Sequence, residues 1–307
     1  MLLTVTVDGD GPVHDIRAVR FQQNPIITEA SSSKIGNNIN GPSLIRVPSW
    51  LPNPLGRYYL YFAHHTGDYI RLAYSNSLNG PWTIYEAGTL KLSETICSGH
   101  IASPDVHVDE KSREIRMYFH GPIPNATKQV ALVATSKDGI HFKASPVILG
   151  DSYFRVFQRN GYYYAMARLG VVYRSRDGLK EFEAGPNPFA SEGQPSRVRH
   201  VALKLDGNKL LVFYSQIGDD PEVILQSTID LSGDWRQWRA SISKIILKPE
   251  HEYEGANLPG APSKEGPAPG RVRELRDPAV YVEGKKSYLL YSVAGESGIA
   301  IAELIKD

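Results

Sequence analysis

Short apolar and aromatic runs recur along the whole chain at similar intervals. Five of them are rich in tyrosine or other large apolar residues and are centred on Tyr61, Tyr118, Tyr164, Tyr214 and Tyr291. A shorter run precedes each of these segments and an alternating run follows it, which is the period-2 pattern of half-buried strands. Internal repeats of short strands at a period of about 40–50 residues are typical of β-propellers.

Turn residues separate the runs and support hairpins between them. Asn160-Gly161, Asp206-Gly207 and Glu283-Gly284 join the first strand of a unit to the second, and Asn-Gly or Asp-Gly between two apolar runs is a strong hairpin signal. We therefore predict an all-β fold, a single five-bladed β-propeller domain over residues 1–307. The predicted blades are residues 41–87, 102–146, 152–186, 198–242 and 276–304. The fifth lacks its own outer strand, which residues 17–27 supply, so that an N-terminal strand closes the ring.

Composition and charge exclude several classes of protein. The 307 residues carry a net charge of +1, which removes the electrostatic basis for binding nucleic acid or an anionic membrane. No apolar run approaches the ~18 residues of a membrane span. The single Cys97 excludes an intrachain disulfide and a cysteine-based metal cluster. The first residues show neither a basic segment nor a long apolar core of a signal peptide, so we expect a cytoplasmic protein.

The propeller topology sorts the polar residues by face. Because strands within a blade are antiparallel, the starts of the inner strands, the loops between second and third strands and the connections between blades share one face. Histidines gather on it: of the nine in the chain, five are predicted there, namely His64, His65, His100, His120 and His200. The opposite face receives common turn residues. One face is therefore predicted to bind a ligand, and the long connections 86–102 and 243–275 belong to it. The second connection is predicted to be an ordered irregular loop, a flexible lid or a solvated insertion.

Carboxylates on this face are the candidate acid and base. Asp277 starts an inner strand in Arg276-Asp277-Pro278, Asp105 lies two residues inside another, and Glu254 stands in the long connection. By counting back from the hairpin turns, Gly41, Ser103, Phe154, His200 and Asp277 are predicted to be equivalent positions. Converging carboxylates, one protonated and one ionised, suit acid–base catalysis. The structural alternative is that these aspartates cap turns through Asx hydrogen bonds.

Basic and imidazole side chains complete the predicted site. The five histidines, together with Asn40, are candidates to hydrogen-bond substrate hydroxyls. Arg155, Arg168 and Arg276 either clamp an anionic group of the ligand or pair with the carboxylates and orient them. No metal-ligand spacing such as His-x-x-x-His is present, so we expect no required cofactor and assign no metal ligand. The alternative of a structural calcium or other divalent ion at the axis stays open.

These features resemble a known family. The five repeats, the Arg276-Asp277-Pro278 strand start, the tyrosine-rich second strands and outer turns such as Ser136-Lys137-Asp138-Gly139 resemble the five-bladed propeller glycoside hydrolases of family 43, the arabinanases, β-xylosidases and arabinofuranosidases, and their relatives. The resemblance implies inverting hydrolysis by an Asp base, a second Asp that tunes pKa and orients, and a Glu acid. At the corresponding places this chain has Asn40-Gly41-Pro42 for the base and His200 for the acid.

The prediction is therefore a glycoside hydrolase that cleaves a terminal bond of an oligosaccharide, neutral or anionic. Asp105 and Asp277 form the carboxylate pair, and Glu254 or His200 is the proton donor. An inverting enzyme would hold its two carboxyl groups about 6.5–9.5 Å apart. Two alternatives stay open: a non-catalytic carbohydrate-binding propeller and a non-hydrolytic sugar-processing enzyme.

Overall fold

The structure, a computed structural model, describes residues 16–125, 128–191 and 194–306. Five antiparallel sheets of four or five strands form the five blades. The predicted five-bladed β-propeller is confirmed. No α-helix occurs in the described ranges, only five short 3-10 helices at Glu29–Ser31, Leu92–Glu94, Arg168–Gly170, Trp235–Gln237 and Glu252–Glu254. Within the same ranges no helix is long and apolar enough to cross a membrane.

The strands follow one another around the ring in chain order. The N-terminal strands are β1 (Ile16–Arg20) and β2 (Ile27–Thr28). The first blade contains β3 (Asn40–Arg46), β4 (Tyr58–Ala63), β5 (Arg71–Ser75) and β6 (Thr83–Tyr85). The second contains β7 (Ala102–Asp109), β8 (Glu114–Pro122), β9 (Gln129–Ser136) and a split outer strand, β10 (Lys143–Ala144) and β11 (Gly150–Asp151).

The remaining blades repeat this order. The third contains β12 (Arg155–Arg159), β13 (Tyr162–Met166), β14 (Val172–Ser175) and β15 (Glu183–Ala184). The fourth contains β16 (Val198–Asp206), β17 (Lys209–Gln216), β18 (Ile224–Asp230) and β19 (Lys244–Leu247). The fifth contains β20 (Arg276–Glu283), β21 (Lys286–Ser292) and β22 (Gly298–Lys306).

The ring closes as the sequence predicts. Strand β1 pairs antiparallel with β22, from Ile16 opposite Lys306 to Arg20 opposite Ala302. Strand β2 pairs with the start of β22, where Ile27 faces Ile299. The N-terminal segment thus supplies the outer strand of the last blade, and the two ends of the described chain hold each other in place.

Tyrosines of the second strands join neighbouring blades. These strands pack against other blades on both faces, so β4 is buried throughout rather than alternating. The Tyr61 hydroxyl donates to the Gly139 carbonyl at 2.7 Å, and the Tyr118 hydroxyl donates to the Gly178 carbonyl at 3.0 Å. Both glycines lie in the polar turn of the next blade. A buried tyrosine needs such a partner for its hydroxyl, which explains why the repeat favours tyrosine.

Candidate functional site

The inner strands begin with an unusual backbone conformation. Gly41, Ser103, Tyr153 and Asp277 have φ of 59°, 48°, 67° and 47°, in the left-handed region. These four residues occupy equivalent positions at the starts of their inner strands. Holding a non-glycine residue there costs about 1–3 kcal/mol, and such strain clusters at functional sites. The third blade contributes Tyr153 rather than the predicted Phe154, whose ring is buried in the core.

The starts of these strands surround a small enclosed cavity on the propeller axis, which we call the axial pocket. Its polar members include five of the predicted site residues and two that sequence reasoning did not select as site residues. The pocket is lined by Asn40, His65, Ala102, Ser103, His120, Tyr153, His200 and Asp277. The predicted gathering of Asn40, His65, His120, His200 and Asp277 at one face is therefore what the structure shows.

Asp277 and His200 form a buried pair. The His200 Nδ1 contacts Asp277 Oδ1 at short range, and the Ser292 hydroxyl donates to Asp277 Oδ2 at 3.2 Å. Burial alone would raise the pKa of Asp277, but His200 and the guanidinium groups of Arg276 and Arg199 hold it well below its ordinary value. Burial lowers the pKa of His200. The proton between the pair is thus assigned to His200 Nδ1, and Asp277 is ionised.

His120 occupies the neighbouring wall of the axial pocket. Its side chain is 2% exposed, and within the described part of the chain its Nδ1 has no hydrogen-bond partner. Burial and the nearby histidines His100 and His200 hold its pKa well below the ordinary value. His120 is therefore a neutral imidazole with one nitrogen donor and one nitrogen acceptor.

Tyr153 stands between the two buried histidines. Its ring centroid lies 4.1 Å from that of His120 and 4.4 Å from that of His200. Burial, and the carboxylates of Asp277 and Glu296, raise the pKa of its hydroxyl to about 12, so it is a donor at neutral pH. These contacts fix the ring across the mouth of the axial pocket.

A larger space, which we call the outer cleft, opens beside Tyr153 and has a volume of about 290 Å³. It shares His65 and Tyr153 with the axial pocket. Its charged and amide members come from blades two to four and from the long connection before blade five. They are Lys128, Gln129, Asp151, Arg168, Arg199 and Glu265. In its wall, Asp151 Oδ2 accepts a hydrogen bond from the Tyr173 hydroxyl at 2.9 Å.

Residues 264–266 of the long connection form one rim of this cleft. Glu265 pairs with Arg168, and Arg199 donates to the carbonyls of Lys264 and Gly266. Arg276 also donates to the Gly266 carbonyl, at 3.1 Å. The connection is therefore tethered over the predicted face rather than projecting into solvent, and Arg168 lies in the site as predicted.

Arg276 belongs to an ion network beneath the site. Its guanidinium meets Glu274 at 2.6 Å, Glu296 at 3.1 Å and Glu222 at 3.6 Å, and all four side chains are buried. Glu296 in turn lies 3.4 Å from His65 Nδ1. Of the two roles the sequence left open for Arg276, pairing with carboxylates is the one that the structure shows.

Asp105 does not meet Asp277. It lies with Arg155 at the opposite end of the axis, in a cavity of about 420 Å³. Asp105 Oδ2 accepts from His107 Nε2 at 2.7 Å and from the Val156 N–H at 2.8 Å. Arg155 donates to the Pro104 carbonyl at 2.8 Å and to the Val201 carbonyl at 3.2 Å. The predicted pairing of Asp105 with Asp277, and a ligand contact by Arg155 at the predicted face, are therefore wrong.

Glu254 lies in neither cavity. Its carboxylate accepts from Arg20 Nε at 2.8 Å and from the Tyr291 hydroxyl at 2.9 Å. Arg20 ends the closing strand β1, so Glu254 fastens that strand to the fifth blade. The prediction that Glu254 shares a site with Asp277 is wrong, because the long connection folds it under the ring closure.

The last two predicted residues, His64 and His100, flank the site. His64 Nδ1 accepts from the Thr66 N–H at 3.1 Å, and the His100 ring centroid lies 6.5 Å from that of His65. Burial lowers the pKa of both. Neither lines the axial pocket or the outer cleft.

The described residues contain no group of three or more histidine, cysteine, aspartate or glutamate side chains arranged to hold a metal ion. Asp277 and His200 are already paired with each other, which leaves few free donors in the axial pocket. The expectation that the protein requires no cofactor stays a prediction.

A comparison with curated proteins places the chain in a family. It is 38% identical over 325 aligned positions to uncharacterized protein R118 of Acanthamoeba polyphaga mimivirus, covering 95% of this chain and 91% of the relative. The chain belongs to the family of that mimivirus protein. No protein-family model matches it.

Solved structures share the fold across nearly the whole chain. A putative glycoside hydrolase from Bacteroides ovatus has a TM-score of 0.67 at 13% identity, covering 96% of both chains. A GH43_1 enzyme from Xanthomonas citri has a TM-score of 0.61 at 14% identity, covering 88% of this chain and 89% of that one.

A third structure comes from the GH130 family of mannoside phosphorylases, which contains glycoside hydrolases that target β-1,2-mannosidic linkages in Candida mannan. Its TM-score is 0.65 at 12% identity, covering 96% of this chain and 95% of that one. At these identities the comparison shows the fold. The predicted resemblance to five-bladed propeller glycoside hydrolases is confirmed at that level.

Several residues of the site were missed from the sequence. Tyr153 directly precedes the residue that was aligned with the strand starts, because Asn160 is already a turn residue in the third blade, whereas Asp206 and Glu283, its counterparts in the count, are the last paired residues of their strands. A count that allowed for this difference would have found it. Asp151, Lys128 and Glu265 carried no such signal, because they come from loops and from an outer strand.

Proposed function

We propose that this protein is a glycoside hydrolase whose reaction takes place where the axial pocket meets the outer cleft. One observation carries the proposal: an ionised, buried aspartate paired with a histidine lines a small pocket, and that pocket adjoins an open cleft that has further carboxyl groups in its wall and rim. Buried acid and base groups with shifted pKa values in a cleft mark candidate catalytic sites. The shared fold with glycoside hydrolases adds support by analogy.

In this proposal Asp277 is the general base. A water molecule attacks the anomeric carbon, its oxygen forms the new C–O bond, and its proton passes to the Asp277 carboxylate. His200 orients that carboxylate through Nδ1. Since His200 is neutral and its donor proton is used in the pair, we do not assign it the role of proton donor.

Asp151 is the proposed general acid. It is a carboxyl group in the wall of the outer cleft, where the leaving part of the sugar would lie. As the glycosidic C–O bond breaks, its electron pair goes to the leaving oxygen and Asp151 supplies the proton. Glu265, at the rim, is already paired with Arg168 and is less suited to this role.

The axial pocket that adjoins the cleft is too small for a sugar ring, so a sugar chain would end there, which favours cleavage of a terminal sugar. The outer cleft also carries Lys128, Arg168 and Arg199 against Glu265, an excess of two positive charges when Asp151 holds the proton that it donates. This balance supports a sugar bearing a carboxylate or sulfate as well as a neutral one. We retain a cytoplasmic location and no required cofactor as parts of the proposal.

The test compares two kinds of substrate. On a nitrophenyl glycoside, whose leaving group needs no proton, Asp277→Asn should lower kcat by about 10²–10⁴-fold, the usual contribution of a general base, while Asp151→Asn should change it little. On an unactivated oligosaccharide both variants should be slow. Asp105→Asn should keep turnover on both, because its carboxylate faces the other cavity. Full activity of Asp277→Asn on every substrate would refute the assignment.

A non-catalytic carbohydrate-binding propeller is the second candidate. The observation that favours it is that Asp277 is engaged on both oxygens, by His200 and by Ser292. It predicts that Asp277→Asn retains sugar affinity and that no glycoside is turned over by the wild type.

A further inference from the structure

We propose that the axial pocket is a binding site for a single water molecule and, resting on the proposed function, that this is the water which attacks the sugar. Nothing in the comparisons assigns a ligand to this pocket. The proposal stands on its size, on an unpartnered buried nitrogen and on its position next to the outer cleft.

The size of the pocket selects its occupant. It leaves room of about 10 Å³ for the centre of a water molecule, and one water needs about 10–15 Å³ measured in this way. A sugar ring does not fit. The substrate therefore has to bind in the outer cleft, and what reaches Asp277 from inside the pocket must be as small as water.

The chemistry of the wall also fits water. His120 Nδ1 is buried and, among the described residues, has no partner, although nearly all buried polar atoms in proteins are hydrogen-bonded. The same space is lined by Asn40, Ser103 and the Asp277 carboxylate. A buried water needs two to four polar partners. One water held by His120 and Asp277 would satisfy the nitrogen and present a proton to the base.

The position of the axial pocket beside the outer cleft supports a catalytic role for this water. His65 and Tyr153 line both the axial pocket and the outer cleft, so the two spaces adjoin at these side chains. The Tyr153 ring is held between His120 and His200 on a left-handed backbone, which fixes the edge that the two spaces share. A water in the axial pocket lies beside Asp277, and where the spaces adjoin it would contact the anomeric carbon of a sugar in the cleft, which is the placement a general base requires.

A crystal structure of the wild-type protein, at a resolution that shows ordered waters, tests occupancy without reference to activity. We expect one water at hydrogen-bond distance, about 2.7–3.2 Å, from both His120 Nδ1 and an Asp277 oxygen. An empty pocket, or an ion with ligand distances of about 2.0–2.6 Å, overturns the proposal.

Filling the pocket tests its role. Ala102→Val adds two methyl groups where only a water fits, and Ala279→Val makes the same change on an inner strand that faces the opposite cavity. We expect kcat of Ala102→Val to fall about 10²-fold, the effect of misplacing a reacting group by ~1 Å, at an unchanged KM. Ala279→Val should match the wild type. Normal kcat in a folded Ala102→Val protein overturns the catalytic role of this water.

A second variant covers the case in which Ala102→Val does not fold. Asp277→Ala opens space for azide, which would attack the anomeric carbon of a nitrophenyl glycoside and expel nitrophenolate. We expect azide to raise the rate of this variant and to yield the glycosyl azide, and absence of that product counts against the site. If the crystal shows the water but the wild type cleaves no glycoside, the proposed function fails and the water site stands.

Discussion

Replacing Glu254 by glutamine separates two roles for this residue, proton donor in the reaction and structural clamp on the ring closure. The side chain is fully buried, and Oε1 accepts from Arg20 Nε at 2.8 Å and from the Tyr291 hydroxyl at 2.9 Å. Oε2 accepts from the backbone N–H groups of Glu250 and His251 at 2.8 and 3.1 Å. The carboxylate therefore ties the closing strand, the fifth blade and the long connection together.

The size of the effect follows from these contacts. Glutamine keeps the shape but replaces one acceptor oxygen with an NH₂ group, which cannot accept from the N–H groups that face it. Removing one partner of a buried ion pair costs about 3–5 kcal/mol. Arg20 keeps its hydrogen bond to the Lys248 carbonyl and its pair with Glu250, so we expect the lower end, about 3 kcal/mol. The melting temperature of a chain of this length should fall by roughly 5 °C.

Urea unfolding and steady-state kinetics on the same preparations measure both roles. Glu250→Gln is the matched control, because Glu250 also pairs with Arg20 but its side chain is 48% exposed, and an exposed pair contributes about 0–1 kcal/mol. We expect Glu254→Gln to unfold at lower urea with kcat unchanged. A Glu254→Gln protein with wild-type stability and lost turnover would refute the structural assignment and restore Glu254 as the proton donor.

Three further predictions concern the site. The pKa of His120 lies below its ordinary 6.5 because the residue is buried. As pH falls through about 6.5 the unfolded chain takes up a proton that the folded one does not, so stability should drop by up to about 1.4 kcal/mol per pH unit, and His120→Phe should flatten that slope in urea titrations. Glu265→Gln should raise KM with stability unchanged within about 1 kcal/mol, since its pair with Arg168 is exposed; an unaltered KM argues against the rim. Chelation with EDTA should leave the turnover of the purified protein unchanged, and a loss that calcium reverses would show that an ion is required.

The features that the sequence predicts correctly are those that the topology of the fold determines. Periodic strands and hairpin turns fix the blades, and an antiparallel blade order places every inner-strand start on one face. This is why Asn40, His65, His120, His200 and Asp277 could be grouped from sequence although they are far apart in the chain. The closing strand was predictable for the same reason, because the fifth blade lacked an outer strand.

The errors have a different physical origin. Asp105 lies after the β-bulge of its strand, two residues further along than Ser103. At a rise of about 3.3 Å per residue, this distance is enough to place its carboxylate in the cavity at the other end of the axis. Glu254 lies in a connection without periodicity, so nothing in its spacing shows that it folds back onto Arg20. Tyr153 was displaced by one residue because the turn of the third blade begins at Asn160, directly after the Arg159–Tyr162 pair, one position earlier than the count assumed.

The replacement of carboxylates by histidines around the axis bears directly on mechanism. Two carboxylates in one small buried pocket repel each other, and one of them must take up a proton. Here the second group in the axial pocket is a neutral imidazole, and the nearby buried carboxylate of Glu296 is paired with Arg276, so Asp277 can stay ionised at neutral pH. In the proposed mechanism the acid therefore comes from the outer cleft. The proposal thus places the base, Asp277, in a pocket with room for one water and the acid, Asp151, in the cleft where the leaving sugar would depart. The rim of residues 264–266 would then limit which sugars can occupy the space between them.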